Sequence, residues 1–390
     1  MKILLFAEVY YPDVMGGGEY STKQVTEGLA SRGHDVTVYC LGQKDSRENI
    51  NGVCVKRRYI PKLSEHFLSN AKNIDLDEPL SKFGKIARKW GDLYPDQKWY
   101  EYYTGIILKE KPDAVHTASP MSYLGRYNLW KAAFDLKVPV SHVCRGPNLL
   151  ELKFFGGVLD SYNRRRNAFA SKYLTALAAP SKYMLMAHNQ VGICGQRFND
   201  VIYNAIDFAP TLVSKEFVNQ KKNLVIYAGE LRKEKGITTL VDAVKHMDGV
   251  ELLLVGRGPL SESIERCDRI QVLDWLERES LYEYIKKAKV LILPSEWNEP
   301  FGRTIIEAIG NGTLAIGSDK GGIPEVLDDS KDYIFKSGHS EELRHLMEGV
   351  VNMPADTYLK EILSFQKSLL RFSEDTYIDN WERFFLQQIG

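Results

Sequence analysis

Short apolar runs separated by helical stretches recur along the chain and predict its architecture. The first run, Ile3–Ala7, leads through a polar loop into a helical stretch from about Glu19 to Ser31, and Val36–Cys40 forms the next apolar run. Apolar runs without polar alternation are typical of strands buried in a parallel sheet, and strands that alternate with helices predict a doubly wound α/β fold. Further strands of this series are predicted at 114–116, 138–140 and 174–179.

A second series of the same kind begins at Leu224–Ala228 and continues with predicted strands at 252–255, 270–272, 290–293 and 314–316. We therefore predict two Rossmann-like lobes with a cleft between them: an N-terminal lobe at 1–207, a linker at 208–222, a C-terminal lobe at 223–373 and a final helix at 374–390. We expect this helix to pack its aromatic face back on the N-terminal lobe. That face consists of Tyr377, Trp381, Phe384 and Phe385.

Composition narrows the class of protein. The chain has 390 residues, enough for roughly two or three domains, and its 51 basic residues balance 51 acidic ones, so the global charge predicts no nucleic-acid partner. The five cysteines are scattered without a close pair, and the sequence shows neither a secretion signal nor an apolar run long enough to span a membrane. These features predict a cytoplasmic protein with reduced thiols.

The segment after the apolar run 290–293 carries the strongest chemical signal. Pro300 and Gly302 end the strand and precede a predicted helix, Arg303–Gly310, so that Glu299 lies in the loop and Glu307 lies one turn inside the helix. Ligands of open α/β sheets collect at such strand ends. The helix N-terminus offers N–H groups to an anion, and carboxylates accept hydrogen bonds from hydroxyls. The segment therefore predicts a nucleotide-sugar site in which the two glutamates hold opposite ends of one ligand rather than act as acid and base.

Two further loops at predicted strand ends suit a phosphate group. Gly16 and Gly17 lie between the first strand and the first helix, where glycine lets the backbone approach a ligand closely. Arg232 and Lys235 follow the strand Leu224–Ala228 and can neutralise a phosphate. The first loop lacks a Gly-x-Gly-x-x-Gly pattern and no acidic residue ends the second strand, which argues against a nicotinamide-dependent dehydrogenase.

Together these motifs resemble those of retaining GT-B glycosyltransferases, the family numbered four (glycosyl transferases group 1). The resemblance rests on the Glu-x7-Glu spacing of Glu299 and Glu307, on the Gly-Gly-x-Pro-Glu loop at Gly321–Glu325 and on the Glu-Lys-Gly sequence at 234–236. It implies a GT-B fold, a UDP- or GDP-linked sugar donor, no other cofactor, no metal, and transfer to a glycan, lipid-linked or small-molecule acceptor with retention at the anomeric carbon. Because no carboxylate of the first lobe is placed as a nucleophile, we expect front-face transfer. The family pattern has an arginine where this chain has Glu230, a departure that Arg232 can compensate.

The resemblance also implies a role for each matching residue. The catalytic residues are expected to be Lys235, Arg232 and Glu299, the donor-binding residues Gly16, Gly17, Arg145, Lys235, Glu299, Phe301, Gly302 and Glu307, and the acceptor-binding residues His116 and His142. Arg145 occupies the place of a family histidine. Either histidine is equally consistent with a buried residue bonded inside the fold, and Trp275 either stacks on the nucleotide base or packs at a strand end.

The segment 60–100 interrupts the alternation of strands and helices and leaves two interpretations open. Lys82, Lys85, Arg88 and Lys89 interleave with apolar residues, which is typical of a helix packed on its own domain or of a helix that binds a membrane surface or the acceptor. Peripheral attachment at the inner membrane face is therefore an open expectation. The triplet Asp75–Asp77 has the letters of a metal-binding Asp-x-Asp motif but no buried strand before it, and we predict no metal site.

Other functions remain open at this stage. A GT-B-type epimerase or phosphorylase would use the same crevice, because it also binds a sugar phosphate or nucleotide-sugar. A nucleotide-sugar-binding protein without activity is the non-enzymatic alternative, and Glu230 favours it because a carboxylate repels a diphosphate.

Overall fold

The computed structural model describes residues 1–13, 16–59, 96–118, 126–146, 158–264 and 267–390. These residues form two compact units, one made of Met1–Tyr203 with Tyr377–Gly390 and the other of Asn204–Thr376. Each unit is built on a largely parallel sheet, so the prediction of two doubly wound α/β lobes is confirmed.

The first unit alternates strands and helices along the chain. Its elements are β1 (Lys2–Phe6), α1 (Gly17–Ser31), β2 (Asp35–Leu41), β3 (Ser46–Ile50), β4 (Val53–Arg58), α2 (Gln97–Glu110), β5 (Ala114–Thr117), α3 (Arg126–Asp135), β6 (Val140–Val143), α4 (Val158–Ser171), β7 (Ala176–Ala179), α5 (Lys182–Gln190) and β8 (Phe198–Val201).

The sheet of the first unit has the strand order β3-β4-β2-β1-β5-β6-β7-β8, in which only β3 and β4 pair antiparallel. Strand order reverses at β1, so the loops after β1 and β5 flank the point where ligands of such sheets bind. The sequence prediction missed β3 and β4. Strand β3 lies at the sheet edge and is largely exposed, so it has no apolar run, although Asn51–Gly52 between the two strands is the dipeptide favoured in hairpin turns.

The second unit repeats this pattern. Its elements are α6 (Lys215–Asn219), β9 (Lys222–Ala228), α7 (Ile237–Lys245), β10 (Glu251–Val255), β11 (Ile270–Leu273), α8 (Arg278–Lys287), β12 (Ala288–Leu293), α9 (Arg303–Gly310), β13 (Leu314–Ser318), α10 (Ile323–Val326), β14 (Ile334–Phe335), α11 (Ser340–Val351) and α12 (Ala355–Ser368), and the chain ends with α13 (Glu374–Ile389). All strand pairs are parallel, in the order β11-β10-β9-β12-β13-β14.

The segment 208–222, predicted as a linker, lies wholly inside the second unit. Ser214 caps α6 by accepting a hydrogen bond from Phe217 N–H, Val218 is buried, and Lys222 already begins β9. The sequence predicts a linker here because α6 is short and its apolar residues do not repeat over several turns. The two units divide between Tyr203 and Asn204.

The last helix contributes to the core of the first unit. The aromatic side chains of α13 are each at most 2% exposed: Tyr377, Trp381, Phe384 and Phe385. Arg32, which follows α1, forms ion pairs with Asp379 and Glu382 on the rim of this contact, at 2.6 and 2.7 Å. Among the described residues, no helix is both long and apolar enough to cross a membrane.

Candidate functional site

The carboxyl ends of β9 and β12 form the topological switch point of the second unit. Strands β10 and β11 extend from β9 on one side, and β13 and β14 extend from β12 on the other. Loops that leave the sheet in opposite directions open a crevice at such a point, and ligands of α/β proteins bind there. The loops after β9 and β12 carry Lys235 and Glu299, so the tertiary structure brings these two predicted site residues together.

Lys235 and Glu299 form an ion pair across the switch point. Lys235 lies in a 3₁₀ turn, Lys233–Lys235, and its Nζ is 2.8 Å from Glu299 Oε1. The same ammonium lies 4.3 Å from the ring centre of Trp297, within cation–π range. Glu299 is only 8% exposed, so its charge is largely withdrawn from water and Lys235 compensates it. The sequence analysis missed Trp297. Its only indication in the sequence is that an aromatic residue lies between the end of the strand and Glu299.

Two glycines allow the backbones of the loops to approach closely enough for this pair. A Cβ atom on Gly236, whose φ is +73°, would lie 1.8 Å from the carbonyl oxygen of Pro294 at the end of β12. A Cβ atom on Gly321, whose φ is +63°, would lie 2.1 Å from the carbonyl oxygen of Glu299. Neither space admits a larger residue. These glycines belong to the Glu-Lys-Gly and Gly-Gly-x-Pro-Glu sequences, which thus hold the backbone on both sides of the ion pair.

The carboxylate of Glu299 bonds through one of its two oxygens. Oε1 accepts hydrogen bonds from Lys235 Nζ at 2.8 Å and from Ser295 Oγ at 2.6 Å. Oε2 has no partner within the part of the chain that the structure describes. An ionised carboxylate has about four acceptor positions, so Oε2 retains the capacity to accept hydrogen bonds from ligand hydroxyls.

The carboxylate of Glu307 also bonds to the protein through one of its two oxygens. It lies in α9 and is 7% exposed, and its Oε1 accepts from Arg278 at 3.0 Å and from Arg303 at 3.2 Å. Its Oε2 likewise has no partner in the described ranges. Arg278 also donates to Asp207 at 2.9 Å. Sequence reasoning missed Arg278 and Asp207, because no spacing in the chain links the start of α8 to the segment before α6.

Phe301 and Gly302 lead directly into α9. The Phe301 side chain is 2% exposed and packs edge-to-face on Phe372 with ring centres 5.6 Å apart, so it anchors the loop and leaves ligand contact to the backbone. Gly302 is the N-cap of α9 and provides no side-chain hydrogen bond to the helix. The first turn of a helix presents N–H groups that have no acceptor inside the helix, and this end can therefore bind an anion.

The carboxylate that departs from the family pattern is neutralised by its neighbour. Arg232 Nε donates to Glu230 Oε1 at 2.5 Å. The backbone of Glu230 is held by Tyr227, whose hydroxyl donates to the Glu230 carbonyl oxygen at 2.8 Å. Glu230 therefore positions Arg232 and does not stand as an isolated negative charge in the loop after β9.

Gly16, Gly17 and Arg145 come together in the first unit. Gly16 is the N-cap residue of α1 and Gly17 is its first residue, after the loop that follows β1. Arg145 follows β6, and its guanidinium donates to the carbonyl oxygen of Gly18 and, at 2.6 Å, to Thr22 Oγ1. A guanidinium beside the N-terminal turn of a helix adds positive charge where the helix dipole is already positive, which favours an anion.

His116 and His142 lie in the interior of the first unit, at 1% and 0% exposure. His116 Nδ1 is 2.9 Å from Ser141 Oγ, and its ring packs on Trp381 with centres 5.1 Å apart. His142 Nδ1 is 2.9 Å from the carbonyl oxygen of Thr117. This corrects the expectation that both residues face the acceptor: they lie on central strands, β5 and β6, and neither ring reaches the surface.

These histidines, with the buried His188, make the first unit sensitive to acid. Burial lowers the pKa of His116 to about 3 and that of His188 to about 4, and burial followed by the charge of Arg126 holds the pKa of His142 well below its usual value. A histidine in the unfolded chain has a pKa of about 6.5. Between this pKa and the lowered pKa of the folded state, the unfolded state binds protons that the folded state excludes. The free energy of unfolding that depends on these neutral histidines is fully present above about pH 6.5 and is lost as the pH falls. In this window each histidine should lower the free energy of unfolding by up to about 1.4 kcal/mol for each pH unit of acidification.

Hydrogen exchange of the first-unit strands between about pH 7.5 and about pH 5, corrected for the intrinsic exchange rate, measures this loss. We expect His188→Gln to reduce the pH dependence, since it removes one excluded proton. His345→Gln, at an exposed position of α11, should leave it unchanged. An unaltered pH dependence in His188→Gln would contradict the assignment.

Trp275, directly after β11, is 60% exposed, which excludes the interpretation that it is packed at the strand end. Its neighbour Asp274 accepts two hydrogen bonds from Arg257. One runs from Nε to Oδ1, and the other runs from Nη2 to Oδ2 over 2.8 Å. An exposed indole at the carboxyl edge of the sheet is available to a ligand.

The Asp75–Asp77 triplet and most of the 60–100 segment lie outside the described residues. Within the described ranges, no group of three or more histidine, cysteine, aspartate or glutamate side chains is arranged to hold a metal ion. Independence from a metal stays a prediction.

Family models match both halves of the chain. The model described as Glycosyltransferase Family 4 matches residues 15–209, and the model described as Glycosyl transferases group 1 matches residues 209–362. A glycosyltransferase of Methanocaldococcus jannaschii is 26% identical over 360 residues, which cover 84% of this chain and 83% of the relative.

Solved structures share the fold over nearly the whole chain. Sucrose-phosphate synthase from Thermosynechococcus elongatus aligns with a TM-score of 0.70 and 18% identity, covering 99% of this chain and 98% of that chain. HepE from Anabaena in complex with UDP-glucose aligns with a TM-score of 0.65 and 17% identity, covering 99% of this chain and 100% of that chain. At these identities the likeness establishes the fold, and the prediction of a GT-B fold is confirmed.

Proposed function

The chain belongs to the GT-B glycosyltransferases of the group 1 and family 4 type, and we propose that it moves a sugar from a UDP- or GDP-linked donor to a glycan or lipid-linked acceptor with retention at the anomeric carbon. The donor part of the proposal is carried by the Lys235–Glu299 ion pair at the switch point of the second unit, which leaves Glu299 Oε2 for a ligand hydroxyl. HepE, which has the same fold, binds UDP-glucose.

In the proposed complex the donor lies along the strand ends of the second unit. Glu299 Oε2 accepts a hydrogen bond from a hydroxyl of the donor sugar, and Glu307 Oε2 accepts from the ribose diol. The diphosphate lies at the N-terminus of α9, near the N–H groups that follow Phe301, where positive charge is also supplied by Lys235 and Arg232. Lys235 pairs with Glu299 and Arg232 pairs with Glu230, so in the proposed complex the donor competes with these carboxylates for both cations.

The start of α1 in the first unit is proposed to offer positive charge and close backbone contact to a phosphate group. Gly16 and Gly17 at the start of α1 carry no side chain that would obstruct a ligand, and Arg145 lies against the same turn. The interior position of His116 and His142 means that the acceptor contacts other groups. The proposed acceptor class rests on the basic, aromatic composition of 60–100, and peripheral attachment to a membrane rests on the same segment.

The proposed reaction is a front-face transfer. The bond between the anomeric carbon and the diphosphate oxygen breaks, and the acceptor oxygen forms a new bond to the same face of that carbon. The acceptor proton passes to an oxygen of the departing diphosphate, whose negative charge Lys235, Arg232 and the N–H groups of α9 stabilise. In this proposal no carboxylate acts as a nucleophile, and charge stabilisation by these groups makes no use of a metal.

A thermal-shift screen against nucleotide-sugars tests the donor proposal. A donor present at about one hundred times its dissociation constant stabilises the protein by about 2.7 kcal/mol, which is readily detected. We expect a UDP- or GDP-linked sugar to stabilise the protein more than the matching diphosphate does. No stabilisation by any member of the panel would contradict the proposal.

The fate of the label from a donor labelled in its sugar separates transfer from the alternatives. A transferase moves the label to a third molecule, and NMR of the product gives its anomeric configuration. An epimerase leaves the label in a nucleotide-sugar, and a phosphorylase releases it as a sugar phosphate.

Glu307→Gln should weaken donor binding about ten-fold while changing the turnover number little, because a hydrogen bond to a charged acceptor contributes about 1.5–3 kcal/mol and the ribose is remote from the reacting carbon. Donor KM and kcat measure the two effects separately. Glu341→Gln, at an exposed carboxylate on α11, serves as the control and should behave as wild type. A fall in kcat with an unchanged KM would assign Glu307 a different role.

A further inference from the structure

Ser295 carries a buried hydroxyl beside the proposed donor site. It follows Pro294 directly after β12 and is 0% exposed. Its Oγ donates to Glu299 Oε1 at 2.6 Å, and that oxygen also accepts from Lys235 at 2.8 Å. Two donors from opposite sides of the switch point therefore meet on one oxygen of one carboxylate.

This arrangement decides which way the carboxylate of Glu299 faces. The terminal torsion of a glutamate is broad and roughly two-fold, so an ion pair with Lys235 alone leaves its two oxygens interchangeable. The hydroxyl of Ser295 fixes the plane of the carboxylate by a second, charge-assisted hydrogen bond. The backbone cannot shift to compensate, because Gly322 N–H donates to the Glu299 carbonyl oxygen at 2.8 Å and Gly321 packs against the same group.

We propose that Ser295 is a positioning residue of the donor site, which assigns Glu299 Oε1 to the protein and presents Oε2 to a hydroxyl of the donor sugar. The inference rests on the proposed function, since it requires a donor with a sugar at this place. It predicts a specific signature. Loss of the Ser295 hydroxyl should weaken binding of the complete nucleotide-sugar and should not affect the nucleoside diphosphate, which keeps its ribose but lacks the donor sugar that contacts Oε2.

Ser318 provides a matched control from the next strand. It is also 0% exposed, and its Oγ donates to the carbonyl oxygen of Ser295 at 2.6 Å without contacting the Glu299 carboxylate. That carbonyl has a second donor, Ser337 Oγ at 3.3 Å. Ser318→Ala and Ser295→Ala thus each remove one buried hydroxyl, but only Ser295→Ala changes the contacts of the carboxylate.

The test measures dissociation constants of wild type, Ser295→Ala and Ser318→Ala for UDP-glucose and UDP, and for GDP-mannose and GDP. For the pair that wild type prefers, we expect Ser295→Ala to bind the nucleotide-sugar about ten-fold more weakly, as loss of one charge-assisted hydrogen bond predicts, and the diphosphate within about two-fold of wild type. Ser318→Ala should bind both as wild type does. Ser295→Cys keeps the volume and a weak donor and should fall between wild type and Ser295→Ala, which preserves the test if the alanine variant folds poorly.

Three outcomes overturn the inference. Unchanged nucleotide-sugar binding in both Ser295 variants shows that the hydroxyl does not position Glu299. An equal loss for nucleotide-sugar and diphosphate shows a general structural role instead. A loss in Ser318→Ala as large as that in Ser295→Ala shows that contact with the carboxylate is not what matters, and if wild type binds neither ligand, the proposed function itself fails.

Discussion

Replacing Lys235 by methionine should lower kcat/KM about 10²–10³-fold, the loss typical when one preorganised charge is removed from a developing anion. Methionine keeps most of the apolar stem that packs beside Trp297 and removes only the charge that contacts Glu299. The departing diphosphate then lacks the cation that lies closest to the proposed sugar-binding glutamate. Steady-state kinetics with the preferred donor measures the loss.

Lys233→Met is the matched control for this prediction. Lys233 belongs to the same 3₁₀ turn and is exposed, so the variant removes an equal charge from the same loop without touching Glu299. Its kinetics should resemble those of wild type. Equal losses in the two variants would show that the general positive charge of the loop, and not the position of Lys235, supports turnover.

Gly236→Ala should strongly destabilise the second unit. A methyl group there would lie 1.8 Å from the Pro294 carbonyl oxygen, and the obstacle is backbone rather than a flexible side chain. The positive φ of Gly236 adds about 1–2 kcal/mol of strain for any residue with a Cβ atom. We expect the free energy of unfolding to fall by about 3 kcal/mol or more, and donor binding to be lost, because the loops that carry Lys235 and Glu299 must separate.

Gly249→Ala isolates the effect of the close approach. Gly249 has a similar φ of +68°, but a Cβ atom there meets nothing within 4 Å. This variant should therefore lose only the conformational strain, about 1–2 kcal/mol, and should bind donor normally. Urea denaturation and donor titration of both variants give the comparison, and equal destabilisation would mean that the contact with Pro294 relaxes at little cost.

Local sequence was sufficient for most of the fold because buried parallel strands leave apolar runs that need no partner to be recognised. It failed where local signals are weak. Strand β3 is an exposed edge, and α6 is too short to show a period, so the sequence predicts a linker at 208–222. His116 and His142 carry the chemistry of acceptor contacts, but their position on central strands decides that they are buried.

In the candidate site, too, the sequence determines some features and only the tertiary structure decides others. The sequence by itself determined that charged groups and glycines follow the strands of two α/β units, and through these motifs it determined the family, because strand ends and helix starts are local features. Only the tertiary structure decided which groups meet: Lys235 and Glu299 are 64 positions apart, and Arg278 and Asp207 are 71 apart. The assignment of one oxygen of each glutamate to the protein, and of the other to a ligand, depends on such contacts. It follows from how the chain packs, because several distant segments must converge on one carboxylate before its free face is defined.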